Sequence, residues 1–173
     1  IGGFCILAML GAGLLSRNMR PALQALAEAR IRSIAARAMN MGTALLKPHL
    51  AAEGATAKGM VVIGTVKGDL HDIGKNLVKM MMEGRGLSVV DLGVDVSPES
   101  FVQAAIDNKA NVICCSSLLT TTMHEMKNVV EEAKRRGIRD QVKIMVGGAP
   151  VTQSFCDSIG ADAYTEDAVS AAE

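Results

Sequence analysis

Apolar residues follow two different patterns along the 173-residue chain. Between Pro21 and Leu45, apolar or small residues return in steps of three and four, which is the spacing of one face of a helix. Beyond the small, polar stretch from Ala51 to Gly59, short runs rich in valine and isoleucine alternate with segments of helical period. This alternation predicts βαβ units and a parallel sheet with helices on both faces. We expect a helical bundle in residues 1–52, then a linker, and an α/β domain in residues 58–173.

The α/β part contains five predicted strands and four predicted helices. The strands are predicted at MVVIGTV, LSVVDLG, NVICCS, KIMVGG and ADAYTED. In the first helix, the apolar face that we expect to pack in the core contains Ile73, Leu77, Met80 and Met81, and Met82 is also expected in the core. In the third helix, the corresponding face contains Met123, Met126, Val130 and Ala133. Gly86 and Gly137 stand where these two helices should end.

The charge balance argues against a nucleic-acid partner. Eighteen basic and eighteen acidic side chains cancel, and only 2% of the residues are aromatic. The chain therefore lacks both the basic stripe that neutralises phosphates and the aromatic surface on which bases stack.

Cysteines and the N-terminal residues bear on the cellular compartment. Cys5, Cys114, Cys115 and Cys156 form no CxxC pair, so we expect buried thiols in a cytoplasmic protein, with Cys114 and Cys115 on opposite faces of a strand. The apolar opening IGGFCILAMLGAGLL has 15 residues, fewer than the ~20 that span a bilayer, and it lacks the features of a signal peptide. A packed helix and no membrane association are expected. Because the chain begins with Ile, we also expect an upstream portion to be missing.

Polar or glycine-rich loops follow three of the predicted strands, at residues 67–74, 116–122 and 147–150. Ligands of open parallel sheets bind at the carboxyl ends of the strands, near the point where strand order reverses. The three loops should therefore border one crevice. The middle loop offers a row of hydroxyls, and Gly147 and Gly148 leave room for a flat or bulky ligand.

His71 lies between two aspartates in the first of these loops and admits two interpretations. It could be a structural histidine that caps the following helix. It could also bind a metal, because Asp69 and Asp72 are near enough to hydrogen bond to its second ring nitrogen. Zinc is a poor fit, since the other histidines are His49 and His124 and zinc needs three or four protein ligands. A metal that arrives with its other ligands attached would need only one.

Three short motifs make the metal interpretation specific. Residues 69–74 read DxHxxG, residues 116–118 read SxL after 41 intervening residues, and Gly147-Gly148 follows after 28 more. This order and spacing resemble those of cobalamin-binding domains. The fuller strings VIGTVKGDLHDIGKN, TTTM and VGGAPVT resemble the small corrinoid proteins of methylamine, methanol or methoxy-aromatic methyltransferase systems, which are related to the cobalamin domain of methionine synthase. The resemblance is close from Leu45 to about Ala168 and implies a flavodoxin-like or Rossmann-like sheet of five parallel strands.

The resemblance also implies a role for each site residue. His71 is expected as the lower axial ligand of the cobalt of cobalamin, in place of the cofactor's own dimethylbenzimidazole. Asp69 would accept a hydrogen bond from the imidazole, and Thr122 would supply the hydroxyl that completes this chain of hydrogen bonds. The displaced nucleotide tail is expected beside Ser116, Leu118, Thr120, Gly147 and Gly148. The other residues implied at the cofactor are Gly68, Leu70, Asp72, Ile73, Gly74, Thr121, Ala149, Tyr164 and Thr165.

A methyl carrier that is not itself a complete enzyme is the function that the resemblance implies. Such a protein receives a methyl group from a substrate:corrinoid methyltransferase and passes it to a corrinoid:acceptor methyltransferase, and a reductive activation protein is a third expected partner. Members of the family carry more helices before the cobalamin domain than residues 1–50 can form, and these helices cap the upper face of the corrin.

Three other functions compete with this interpretation. A carbon-skeleton mutase uses the same loop, but it is disfavoured by the preceding helical segment and by the match of TTTM and GGAPVT to methyl carriers. A corrinoid sensor or storage module is excluded only poorly by the sequence. A generic flavodoxin-like nucleotide binder is disfavoured because no glycine-rich phosphate loop follows the first strand.

Overall fold

The computed structural model describes residues 59–173, which form one parallel sheet with helices on both faces. The strands are β1 (Met60–Thr65), β2 (Ser88–Asp91), β3 (Val112–Ser116), β4 (Lys143–Gly147) and β5 (Ala163–Tyr164). The helices are α1 (Ile73–Gly84), α2 (Pro98–Asp107), α3 (His124–Arg135) and α4 (Gln153–Ile159), followed by a 3-10 helix at Ser170–Ala172. The predicted strands and helices of this part are confirmed, and the expected bundle in residues 1–52 lies outside the described residues.

Strand order reverses at the centre of the sheet. The order is β2-β1-β3-β4-β5, and every neighbouring pair is parallel. The chain moves from β1 to one side for β2 and then returns to the other side of β1 for β3. Loops that follow β1 and β3 therefore diverge at a switch point, which is where open α/β sheets bind their ligands.

Alternate residues of the central strands enter two separate cores. Val62 and Cys115 belong to the core that includes α2 and α3, whereas Val61 and Cys114 pack with Met82 of α1. The two adjacent cysteines thus face opposite sides of β3, as predicted. Burial raises the pKa of the Cys114 thiol to about 12, so this thiol stays protonated and unreactive at neutral pH.

The third helix packs as its sequence pattern predicts. Met126, Val130 and Ala133 of α3 are buried, and Met123 packs against the same core. The helix ends just before Gly137, as predicted. None of the helices in residues 59–173 is long and apolar enough to cross a membrane.

The first helix packs differently from the prediction. Ile73, at the start of the predicted core face, is 55% exposed, while Lys75 and Met82 are the buried residues of α1. The reason is tertiary: Lys75 Nζ lies 2.6 Å from Asp91 Oδ1 at the end of β2, and this ion pair turns the Lys75 side of the helix toward the sheet. The prediction of Met82 in the core is confirmed, whereas that of a core-facing Ile73 is wrong.

Candidate functional site

The loops after β1, β3 and β4 meet at the switch point of the sheet. The amide of Val66 donates to the carbonyl oxygen of Ser116 at 3.0 Å, and the amide of Ser117 donates to the carbonyl oxygen of Gly147 at 3.1 Å. These bonds continue the parallel pairing beyond the strands. The three loops predicted to border one crevice are therefore joined to each other.

His71 is held by both its backbone and its ring. Buried Thr65 donates from Oγ1 to the carbonyl oxygen of His71 at 2.8 Å, and the His71 amide donates to Asp69 Oδ1 at 3.1 Å. The same carboxylate oxygen lies 2.6 Å from ring nitrogen Nδ1. An ionised carboxylate can only accept, so Nδ1 carries a proton and Nε2 is the nitrogen left with a lone pair. The ring is 50% exposed, and none of residues 59–173 bonds to Nε2.

The second aspartate of the motif has a different position. Asp72 stands at the N-cap of α1 without a capping bond from its side chain, and its Oδ2 accepts from Asn76 Nδ2 at 3.2 Å. Of the two aspartates considered for the ring of His71, Asp69 is the one that the structure places there. The His71 ring contacts this carboxylate and does not cap the helix.

Asp69 is fully buried beneath His71, and both of its oxygens accept hydrogen bonds. The donors to Oδ2 are Leu118 N at 2.7 Å, Thr122 Oγ1 at 3.1 Å, Leu119 N at 3.2 Å and Ser117 Oγ at 3.3 Å. Burial alone would raise the pKa of Asp69, but the hydrogen bonds from His71, Leu118 and Leu119 outweigh burial and hold the pKa well below its usual range. Asp69 is therefore an ionised, immobile acceptor at neutral pH.

Sequence reasoning missed two buried hydroxyls of this network. Ser117 has a fully buried side chain, and its Oγ lies 2.8 Å from Thr122 Oγ1. In the described part of the chain, Ser116, the serine of the predicted motif, makes no hydrogen bond to Asp69 or His71, and its carbonyl oxygen accepts from the amide of Val66. Strand alternation could have indicated Ser117, because it has the parity of Cys115, which packs in the α3 core. For Thr65, the sequence offers no indication of its bond to His71 other than its place at the end of β1.

Exposed apolar side chains lie on the two loops that contain His71 and the donors to Asp69. Residues 59–173 contain six large hydrophobic residues that are exposed, and four of them lie on the loops after β1 and β3 or at the start of α1. These four are Leu70 at 71%, Ile73 at 55%, Leu118 at 45% and Leu119 at 39% exposed. Sequence reasoning named the first three and missed Leu119. Clustered exposed apolar groups mark a binding surface more often than isolated ones do.

Two adjacent glycines of the third motif differ in their surroundings. Gly148 has φ +133°, and a Cβ built there would lie 1.8 Å from the carbonyl oxygen of Ser117. The fold itself thus requires glycine at this position. A Cβ at Gly147 would meet only the carbonyl oxygen of Thr165, at 3.8 Å, and one at Gly74 would meet nothing within 4 Å. Glycine at these two positions is not required by the described part of the chain.

The remaining predicted residues lie near the site with fewer contacts. Thr120, Thr121 and Ala149 are exposed on the loops after β3 and β4. Gly68 lies beside Thr122, whose methyl group would be 3.4 Å from a Cβ there. Tyr164 packs against the core and makes a weak candidate for the site. Within residues 59–173, no group of three or more His, Cys, Asp or Glu side chains could hold a metal ion.

Comparison with known proteins identifies the family. Residues 59–173 match the family described as the B12 binding domain. The chain is 50% identical over 136 residues to trimethylamine corrinoid protein 1 of Methanosarcina acetivorans, covering 78% of this chain and 63% of that protein. It thus spans less than two thirds of this relative.

Two solved structures show the same likeness. The monomethylamine corrinoid protein of Methanosarcina barkeri matches with a TM-score of 0.64 and 38% identity, covering 79% of this chain and 65% of that one. The methanol:cobalamin methyltransferase complex of the same organism matches with a TM-score of 0.65 and 36% identity, covering 70% and 47%. The prediction of a cobalamin-binding domain is confirmed, and the chain belongs to the B12-binding domain family.

Proposed function

We propose that the chain is a corrinoid methyl carrier that binds cobalamin with its dimethylbenzimidazole displaced and His71 on the cobalt. The observation that carries this proposal is the state of His71: its Nδ1 is engaged by buried Asp69 at 2.6 Å, while its ring is half exposed with Nε2 available. Metal-binding histidines commonly have their second nitrogen fixed by a carboxylate in this way. When bound, cobalt supplies the methyl-transfer chemistry, and the protein supplies binding and orientation.

The apolar side chains around His71 fit a broad, flat macrocycle. Leu70, Ile73, Leu118 and Leu119 are exposed on the site loops and at the start of α1, and covering them with a corrin would remove their apolar surface from water. Gly74, where a side chain would meet nothing within 4 Å, is explained if the cofactor passes close to the first turn of α1. Gly68, Asp72 and Ala149 would border the cofactor in the same region.

The nucleotide tail would lie at the ends of β3, β4 and β5. Ser116, Thr120 and Thr121 would offer hydroxyls to it, and Gly147 would leave it room beside Thr165. Gly148 would affect the tail indirectly, because its own contact is with Ser117.

The geometry around Asp69 determines which nitrogen of His71 would hold the cobalt. Donors on both of its oxygens keep Asp69 ionised, and this carboxylate holds the Nδ1 side of the half-exposed His71 ring. His71 would therefore hold cobalt through Nε2, with Asp69 as the acceptor of the hydrogen bond from Nδ1.

The expected partners are a substrate:corrinoid methyltransferase, a corrinoid:acceptor methyltransferase and a reductive activation protein. Support comes from the relatives, which include a trimethylamine corrinoid protein and the methanol:cobalamin methyltransferase complex.

A reconstitution experiment tests the methyl-carrier role. The reduced holoprotein is mixed with trimethylamine, dimethylamine, monomethylamine or methanol, each with its cognate methyltransferase, and methylation of the corrinoid is followed by visible absorbance. We expect methylation only when the matching enzyme is present, and none with His71→Ala at an equal concentration of bound cofactor. Adenosylcobalamin-dependent radical formation would instead assign the protein to the mutases. Tight cobalamin binding without methylation by any pair would favour a sensor or storage module.

A further inference from the structure

Two buried hydroxyls lie near the same oxygen of the carboxylate that contacts His71. Ser117 Oγ and Thr122 Oγ1 lie 3.3 Å and 3.1 Å from Asp69 Oδ2 and 2.8 Å from each other. Both also lie within hydrogen-bond distance of the carbonyl oxygen of Leu119, at 3.1 Å and 3.0 Å. Neither side chain is more than 8% exposed.

Either of the two hydroxyls can be the donor to Asp69. Each hydroxyl has one proton to donate, and the acceptors in reach are Asp69 Oδ2, the carbonyl oxygen of Leu119 and the other hydroxyl. A hydrogen bond to the ionised carboxylate is the strongest of these, so one proton goes to Asp69. The other goes to Leu119 or to the first hydroxyl. Because both oxygens have the same set of acceptors, either residue can take the bond to Asp69.

We propose that Ser117 is a positioning residue for the cobalt ligand and shares with Thr122 the donation to Asp69. This inference rests on the proposed role of His71 as ligand. Loss of either hydroxyl leaves the other to donate to Oδ2, whereas loss of both leaves only the amides of Leu118 and Leu119. The carboxylate of Asp69 then attracts the Nδ1 proton of His71 more strongly. This makes the imidazole a more basic ligand through Nε2.

The experiment is a double-mutant cycle on the cobalamin-loaded protein. Ser117→Ala, Thr122→Val and the double variant are reconstituted with hydroxocobalamin, and the midpoint potential of the Co(III)/Co(II) couple is measured by spectroelectrochemical titration. Valine keeps the volume of Thr122 while it removes the hydroxyl. We expect a shift to more negative potential in the double variant that exceeds the sum of the shifts in the two single variants. Thr122→Ser, which keeps a hydroxyl, should have the potential of the original protein.

Controls separate this inference from a general loss of structure. Ser158→Ala removes a hydroxyl that donates to the carbonyl oxygen of Phe155 on α4, remote from the site, and should leave the potential unchanged. Apo-protein unfolding curves identify any variant that does not fold. If Ser117→Ala with Thr122→Val fails to fold, Ser117→Cys, a weaker donor of similar shape, replaces Ser117→Ala in the cycle.

Two results would overturn the inference. One is a single variant that reproduces the whole shift of the double variant, which would make the other hydroxyl idle. The other is an unchanged potential in all three variants. The Co(II) electron paramagnetic resonance spectrum of the unaltered protein is recorded beside them. If that spectrum shows no splitting from a protein nitrogen, the proposed function itself is wrong. If the splitting is present and the potentials of the three variants are unchanged, only the role of Ser117 is wrong.

Discussion

The two sides of the site differ in how tightly they are packed. On the α3 side, Ser117 and Thr122 are buried, and the apolar face of α3 lies in the core. On the α1 side, His71 is half exposed and Ile73 is 55% exposed. The buried hydroxyls on the α3 side are therefore part of the fold, while the exposed apolar side chains of Ile73 on the α1 side and of Leu118 and Leu119 between the two hydroxyls are available to a ligand.

The largest expected effect is on the packed side, at Gly148. Gly148→Ala should lower the free energy of unfolding by about 4 kcal/mol or more, because its Cβ would lie 1.8 Å from the carbonyl oxygen of Ser117 at a φ of +133°. Gly147→Ala, with its nearest atom at 3.8 Å, is the matched control and should cost under about 1 kcal/mol. Urea unfolding of both apo variants provides the measurement. Equal stability of the two variants would refute the packed character of the α3 side.

The second effect concerns the ion pair that turns the Lys75 side of α1 toward the sheet, in the helix where Ile73 is exposed. Asp91→Ala should destabilise the protein by roughly 3 kcal/mol, because Lys75 is 2% exposed and would be left as a buried charge without its carboxylate. Lys79→Ala removes the more exposed lysine on the same aspartate and should cost about 1 kcal/mol or less. Thermal unfolding of both variants compares them. A cost for Lys79→Ala as large as that for Asp91→Ala would contradict the role given to Lys75.

Acid should weaken the fold through the carboxylates of Asp69 and Asp91. Burial raises the pKa of Asp69 and of Asp91, but hydrogen bonds from His71 and from Lys75 respectively outweigh it, so both pKa values lie below the ordinary one. As pH falls, these two carboxylates bind protons in the unfolded chain before they do so in the folded protein. The free energy of unfolding that they contribute above about pH 4 is therefore lost below that pH. We expect Asp69 alone to account for on the order of 2 kcal/mol of this loss. Urea unfolding between about pH 7 and pH 3 should show a flatter profile for Asp69→Asn, and an unchanged slope would refute its contribution.

The smallest effect on stability is expected on the open side. Ile73→Ala should change the free energy of unfolding of the apo protein by less than about 0.5 kcal/mol, because the side chain is 55% exposed. It should nevertheless weaken cobalamin binding roughly tenfold, since the corrin would cover this side chain. Val169→Ala is a matched control, because Val169 is 51% exposed and lies outside the site loops. Calorimetric titration with hydroxocobalamin should separate the two, and equal affinities would contradict the proposed corrin surface.

Local patterns predicted the strands and the ligand loop, and tertiary contacts explain what they missed. Alternation along β1 and β3 placed Cys114 and Cys115 on opposite faces, and the spacing of three motifs located His71 and Asp69. The orientation of α1 could not be predicted, because it depends on the contact of Lys75 with a strand 16 residues away. The clash that fixes Gly148 likewise comes from the loop after another strand.

The central claim is that a nitrogen of His71 binds cobalt, and it can be tested directly. The protein is reconstituted with hydroxocobalamin, reduced to Co(II) and studied by electron paramagnetic resonance, once with natural nitrogen and once with ¹⁵N-labelled histidine. A protein ligand predicts that the nitrogen splitting changes from a triplet to a doublet on labelling, and that it disappears in His71→Ala but persists in His124→Ala. A triplet that survives both the label and the loss of His71 would show that the cofactor keeps its own base. That result would contradict the proposed role of His71 as the cobalt ligand.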